Sequence, residues 1–203
     1  MSKNLLPNKW TTERVRVEDS TLDEVEELQR IYDAVPQTQG WTRVKAEGEP
    51  EYPMLSALKE GVLPPNGSKE CFRLQSIRMM DTEELIGFLG VYHGFPREGI
   101  FWINTLTLHP RFQGKGFGQE LTIGLSNTVR QLESYTQIRT FVNLKNWPSL
   151  RLCVKVGLDR MVVITGDKRH SDKAEGHVML EKIIAASQGR DAPSDESLHM
   201  VNR

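Results

Sequence analysis

The most constraining stretch of this sequence lies at residues 99–132. A strand-like run, 99–109, stops at Pro110, and a glycine-rich turn follows, Gly114-Lys115-Gly116-Phe117-Gly118. Phe117, Leu121, Leu125, Val129 and Leu132 then recur at spacings of 4, 4, 4 and 3, the period of an amphipathic helix laying one face on a sheet. Residues 137–143 (QIRTFVN) supply a second strand, expected parallel to the first because a helix connects them. A β-α-β unit with a glycine turn at its first junction is therefore the centre of the predicted fold.

The remaining chain arranges itself around that unit. Runs at 71–80, 84–93 and 99–109 are joined by short polar or turn-rich links, which predicts an antiparallel meander. Upstream, 12–18 (TERVRVE) alternates as one short strand. Thr21 with Glu24 forms a capping box, and Leu22, Val25, Leu28 and Ile31 fall three apart, so 21–33 is predicted helical. Residues 34–70 carry five of the ten prolines and read as irregular, apart from a short helix over 51–60 ending at Gly61. Downstream, Asn146 is an N-cap, Pro148 suits a first turn, Leu150, Cys153, Val154 and Val156 give an apolar face, and Gly157 is a C′ residue. Strands at 158–165 and 176–184 close the domain around a polar loop. The expected fold class is α/β: a mixed, mainly antiparallel sheet with helices on both faces. It forms one domain over 1–186, followed by a polar tail at 187–203.

Composition narrows the function classes. The chain has 203 residues, enough for one sizeable core, and a formal net charge of −1. A nucleic-acid binder would show a basic surplus, and a polybasic membrane-surface protein would too, so neither partner is expected. No apolar run approaches the ~18 residues of a membrane-spanning helix, and the N-terminus shows no apolar signal region. Two isolated cysteines, Cys71 and Cys153, make neither a disulfide framework nor a metal site, which fits a cytoplasmic protein with reduced thiols and no metal.

The chemistry concentrates at the glycine turn. A helix N-terminus offers unpaired N–H groups and partial positive charge, and glycines let a phosphate approach them closely. Arg111 and Lys115 add charge at the mouth. The residue after Gly118 is Gln119, so the dinucleotide fingerprint fails, and the Walker A pattern is absent. What fits is R/Q-x-x-G-x-G at Arg111, Gly114 and Gly116. A second pattern, N-x-x-[AS]-x-x-L-[Y]-x-x-x-G-[F], reads here as Asn146, Ser149, Leu152, Cys153, Gly157 and Leu158. On these two motifs and the element order over roughly 10–185, the chain resembles the GNAT family, the Gcn5-related N-acetyltransferases.

That resemblance implies a GNAT-like sheet whose central β-α-β unit binds acetyl-CoA as cosubstrate. Pantetheine would enter a gap beside Leu106, Thr107 and Leu108, and an amide there would polarise the thioester carbonyl. The pyrophosphate would sit on the amides from Gln113 to Gln119, namely those of Gln113, Gly114, Lys115, Gly116, Phe117, Gly118 and Gln119. Asn146 and Ser149 would contact the pantetheine or phosphate arm. The implied reaction is attack of a neutral primary amine on the thioester.

The catalytic groups are less clearly marked. Where the family commonly carries a tyrosine acid, this chain has Cys153, either a thiol able to protonate a CoA thiolate or a small buried hydrophobe. Where relatives often carry a glutamate base, the strand holds Trp102 and Asn104, and the nearest carboxylate is Glu98. Asn104 could orient a water, and Trp102 and Asn104 share a side by alternation. His93, His109, His170 and His177 are bases by residue type alone. Trp41 and Trp102 are the expected acceptor-binding aromatics, with Tyr52 available, and Glu47, Glu49 and Glu51 would suit a cationic amine. The acceptor is expected to be a small-molecule or peptide amine, and a homodimer is compatible with the resemblance. The rival readings are a CoA-binding sensor or inactive relative and, more weakly, a domain binding another phosphate ligand.

Overall fold

A computed structural model describes residues 5–36, 52–167 and 174–184. Eight strands form one sheet: β1 (Lys9–Thr11), β2 (Val15–Asp19), β3 (Phe72–Met79), β4 (Leu85–His93), β5 (Ile100–Leu108), β6 (Gln137–Asn143), β7 (Arg160–Gly166) and β8 (Gly176–Ile183). Their order across the sheet is β1-β2-β3-β4-β5-β6-β8-β7. Every neighbouring pair is antiparallel except β5 and β6, which run parallel. Among the described residues four helices accompany them: α1 (Val25–Asp33), α2 (Pro53–Glu60), α3 (Phe117–Gln131) and α4 (Trp147–Lys155). The mixed, mainly antiparallel sheet, the meander and the parallel β-α-β crossover are as the sequence predicts.

The first strand is a correction. The expected single strand over 12–18 is instead a hairpin, with Thr12-Glu13-Arg14 as its turn and the Thr12 amide donating to the Val15 carbonyl at 2.9 Å. Lys9-Trp10-Thr11 is too short to show alternation, but Trp10 is buried and its indole N–H donates to Gln75 Oε1 at 3.0 Å. A second difference lies in the first helix. The capping box forms, yet Leu22 sits in a 3-10 turn and is exposed, so the buried face begins with Leu28 and continues through Ile31 and Tyr32.

Two cores sandwich the sheet. One gathers Val15, Val17, Ile77, Leu89, Phe101 and Ile103 against Phe117, Leu121, Leu125 and Val129 of α3 and Cys153 of α4. The other gathers Leu74, Leu85, Phe88 and Tyr92 against Leu28, Ile31 and Tyr32 of α1 and Met54 and Ala57 of α2. β4 lies between them and is buried along its whole length, as expected of a strand covered on both faces. Gly124, in mid-α3, permits a close approach: a Cβ there would lie 2.7 Å from Thr12 Cγ2 and 3.1 Å from the Trp10 ring.

Candidate active site

The site begins with a break in the sheet. β5 and β6 are paired only from Ile100↔Gln137 to Ile103↔Thr140, where the Thr140 hydroxyl donates to the Ile103 carbonyl at 3.0 Å. Beyond that point the two strands part. On its other edge β5 stays paired to β4, but Gly90 opposes Thr105 while Val91 opposes Ile103, so Asn104 is an extra, bulged residue. The bulge switches side-chain parity: Phe101 and Ile103 before it, and Leu106 and Leu108 after it, all pack on the α3 side. It also sets the backbone. The His109 amide donates to the Ile86 carbonyl of β4 at 2.8 Å. By antiparallel alternation the Thr107 amide also faces β4, and the amides of Leu106 and Leu108 face the opening.

The glycine turn stands at the same end. A 3-10 turn, Pro110–Phe112, leads into it, and the Gln113 side chain ties it back by donating to the Leu108 carbonyl at 2.8 Å. Gly114 and Gly116 have φ values of +72° and +87°, a region that favours glycine. Gly116 is the N-cap of α3 and its carbonyl accepts the first helical bond, from Glu120, at 3.0 Å. Gln113 spends its amide on the Pro110 carbonyl at 3.1 Å. The amides of Gly114, Lys115, Gly116, Phe117, Gly118 and Gln119 have no partner among the described residues. A row of outward N–H groups with the positive end of a helix dipole is a fitting cradle for a phosphate. Arg111 is ion-paired with Glu84 rather than free at the mouth, while Lys115 lies over the Phe112 ring at 5.6 Å.

The turn is gripped from behind by the β1–β2 hairpin, an arrangement the sequence reading missed. Arg14 Nη1 donates to the Lys115 carbonyl at 3.2 Å, and its guanidinium lies 4.0 Å over the Phe117 ring. Glu120, in the first turn of α3, accepts from the Thr12 hydroxyl at 2.5 Å, the Arg14 amide at 2.8 Å and Arg14 Nε at 2.6 Å. Burial alone would raise the Glu120 carboxyl, but these donors outweigh it and hold the group below its ordinary value.

α4 also starts at the opening. Asn146 uses its side-chain oxygen to cap the Ser149 amide at 3.2 Å, and both residues are half-buried. A Cβ on Gly118 would lie 3.2 Å from Leu152 Cδ2, so α3 and α4 approach closely just past the turn. Cys153 belongs to the core, and burial pushes its thiol up to about 11.

On the α1/α2 side of the sheet, partly exposed rings run from β5 to β8. Phe95 meets Trp102 edge-on at 5.3 Å, Trp102 lies 6.4 Å from Phe141 across the strand boundary, and Phe141 stacks on His177 at 5.4 Å. Asn143 orders the end of this row. Its oxygen accepts from the Lys145 amide at 2.8 Å, and its NH2 donates to Glu175 at 2.7 Å and lies 3.5 Å from His177 Nε2. Asn104 shares this side with Trp102, but its NH2 donates to the Val62 carbonyl at 3.0 Å, which ties it to the loop after α2 rather than to a water. Glu98 lies before the paired half of β5. It sits in the turn before the strand, and the four strand residues Ile100 to Ile103, about 13 Å of extended chain, separate that turn from Asn104. His93 is buried, accepting from the Leu6 amide at 3.0 Å and bonding the Cys71 carbonyl at 2.9 Å, a structural role. His109 caps the 3-10 turn, and Tyr52 is exposed at the start of α2. Trp41, Glu47, Glu49, Glu51 and His170 lie outside the described residues.

An acetyltransferase (GNAT) family model matches residues 25–158 of the chain. The chain belongs to the GNAT acetyltransferase family. Solved structures agree on the fold of this GNAT domain. A GNAT-family acetyltransferase from Chromobacterium violaceum matches with a TM-score of 0.68 at 14% identity, covering 89% of this chain and 88% of that one. A protein described as a ribosomal-protein-serine acetyltransferase from Vibrio cholerae matches at 0.65 and 16%, covering 88% and 99%. The ribosomal-protein-S5-alanine acetyltransferase from Vibrio fischeri matches at 0.62 and 14%, covering 88% and 97%. No curated protein matches the sequence. Among the described residues of the GNAT domain, no group of three or more His, Cys, Asp or Glu is placed to hold a metal, and no helix is long and apolar enough to cross a membrane.

Proposed function

We propose that this GNAT domain transfers an acetyl group from acetyl-CoA to a primary amine by direct attack on the thioester. The observation that carries the reading is convergence: the outward amides of the glycine turn and those of Leu106 and Leu108 open at the same end of the β-α-β unit. The amides from Gly114 to Gln119, with Lys115 beside them, hold the pyrophosphate, and the gap beside β5 takes the pantetheine. The Leu106 N–H is the donor available to a thioester carbonyl in that gap. Asn146 and Ser149 border the arm from α4. Acetyl-CoA supplies the activated acyl group, and the chain supplies mainly positioning, which is worth about 7–11 kcal/mol in well-oriented systems.

The acceptor approaches from the α1/α2 side, over Trp102 and Phe141. Two of the similar structures are described as acetyltransferases of ribosomal proteins, so a peptide amine stands beside small amines as the acceptor class. Titration calorimetry with acetyl-CoA, CoA and ATP, followed by acetyl transfer to a panel of amines and N-terminal peptides, tests the reading. Selective CoA binding with turnover is expected, and absence of CoA binding overturns it.

A second reading, a CoA-binding sensor without turnover, is favoured by one set of observations. Cys153 is in the core, Asn104 is tied to Val62 and Glu98 is far from the opening. Selective CoA binding without transfer to any amine would select it.

A further inference from the structure

The β1–β2 turn is distant in sequence from the glycine turn yet reaches it through the Arg14 side chain. We propose that Arg14 is a positioning residue for the phosphate-binding turn, aiming the Gly116 amide outward and shielding a bound pyrophosphate from Glu120. The proposal rests on the acetyl-CoA reading above.

Two arguments carry it. The first is geometric. Lys115 C=O and Gly116 N–H belong to one planar trans peptide unit, so they point in opposite directions. Arg14 Nη1 holds that carbonyl at 3.2 Å, which fixes the Gly116 N–H to face away from Arg14 and out of the turn. The guanidinium is itself fixed, lying 4.0 Å over Phe117 and bonded through Nε to Glu120 at 2.6 Å. Gly116 leaves just enough room, since a Cβ there would lie 3.4 Å from Arg14 Nη2.

The second argument is electrostatic. Glu120 is a carboxylate in the first turn of the helix whose N-terminus would receive a phosphate, and like charges so close repel. Arg14 supplies two of the three hydrogen bonds Glu120 accepts there, from its amide and its side chain, and Thr12 supplies the third. The clamp thus turns an acidic residue in an anion site into an anchor for the site's backbone.

The test compares two donors that differ in the phosphates. Arg14→Gln is assayed with acetyl-CoA and with S-acetylpantetheine, which carries no phosphate, alongside calorimetric titration with CoA. The expected result is a loss of about tenfold in kcat/KM on acetyl-CoA, borne by KM, with a matching rise in the Kd for CoA and a change under twofold on S-acetylpantetheine. Adding Glu120→Gln should recover part of the CoA affinity, because the unshielded charge is then gone. Equal losses on both donors would show general damage to the fold and overturn the proposal, as would an unchanged Kd for CoA. If the wild-type protein turns over neither donor, the CoA titrations of the two variants decide. Wild-type protein that binds no CoA would instead defeat the functional reading beneath the proposal, and the proposal with it.

Discussion

At the scale of single residues, burial separates packing from chemistry. Cys153 occupies a motif position where a proton donor could stand, and the sequence alone favours a core residue there over an acid. The structure places it at 6% exposure, with burial raising its thiol to about 11. A thiol raised in the folded state above its ordinary 9.0 stabilises the fold below pH 9, and that stability is lost as pH rises toward 11. Cys153→Ala should therefore flatten the alkaline limb of a stability–pH curve measured by urea unfolding. It should also lower stability at neutral pH through lost packing, by about 1 kcal/mol, and leave the pH profile of any acetyl transfer unmoved. A profile that loses its alkaline limb in Cys153→Ala would return the thiol to the reaction. Arg14 makes the opposite point. In the sequence, Thr12-Glu13-Arg14 reads as part of a strand with nothing to mark it. Its contacts with Lys115, Phe117 and Glu120 join residues more than a hundred positions apart, a separation no local pattern encodes.

At the scale of elements, what the sequence made legible was whatever local periodicity and end signals specify. The α3 stripe, the α4 cap at Asn146 and the end of α2 at Gly61 appear where those signals place them. The bulge at Asn104 was not legible, because Asn104-Thr105 continues a plausible alternation and only pairing with β4 reveals the extra residue. That bulge decides which amides of β5 face the opening, so the most consequential detail of the site was hidden in register. The β1–β2 hairpin was hidden for a related reason: the three residues of β1 are too few to show a period. Its docking on α3 gives a prediction with competing signs. Gly→Ala within a helix ordinarily gains about 1 kcal/mol. At Gly124 the added methyl would meet Thr12 and Trp10 at 2.7 and 3.1 Å, and overpacking of this kind costs about 1–3 kcal/mol. Gly124→Ala should accordingly destabilise in urea unfolding, and a gain in stability would show that the hairpin yields freely.

At the scale of the whole molecule, a ligand held by folded backbone stabilises the domain by mass action. At a hundred times its Kd the gain is about 2.7 kcal/mol, and for a domain of this size each kcal/mol moves Tm by about 2–4 °C. Acetyl-CoA at that excess should raise Tm by roughly 5–10 °C, read by differential scanning calorimetry. ATP at the same concentration should leave it nearly unchanged, and an equal rise with ATP would point to a generic phosphate site. The short parallel ladder between β5 and β6 has a mechanical consequence as well. Four residue pairs are the whole of that seam, so the sheet consists of two plates, β1 to β5 and β6 with β8 and β7, welded over a short length and braced by α3 and α4. Past the weld, the amides of Leu106 and Leu108 lack the neighbouring strand that shields those of β3 and β4. In deuterium they should exchange early, ahead of the plates on either side, and an occupant of the cleft should slow them by serving as the missing rungs.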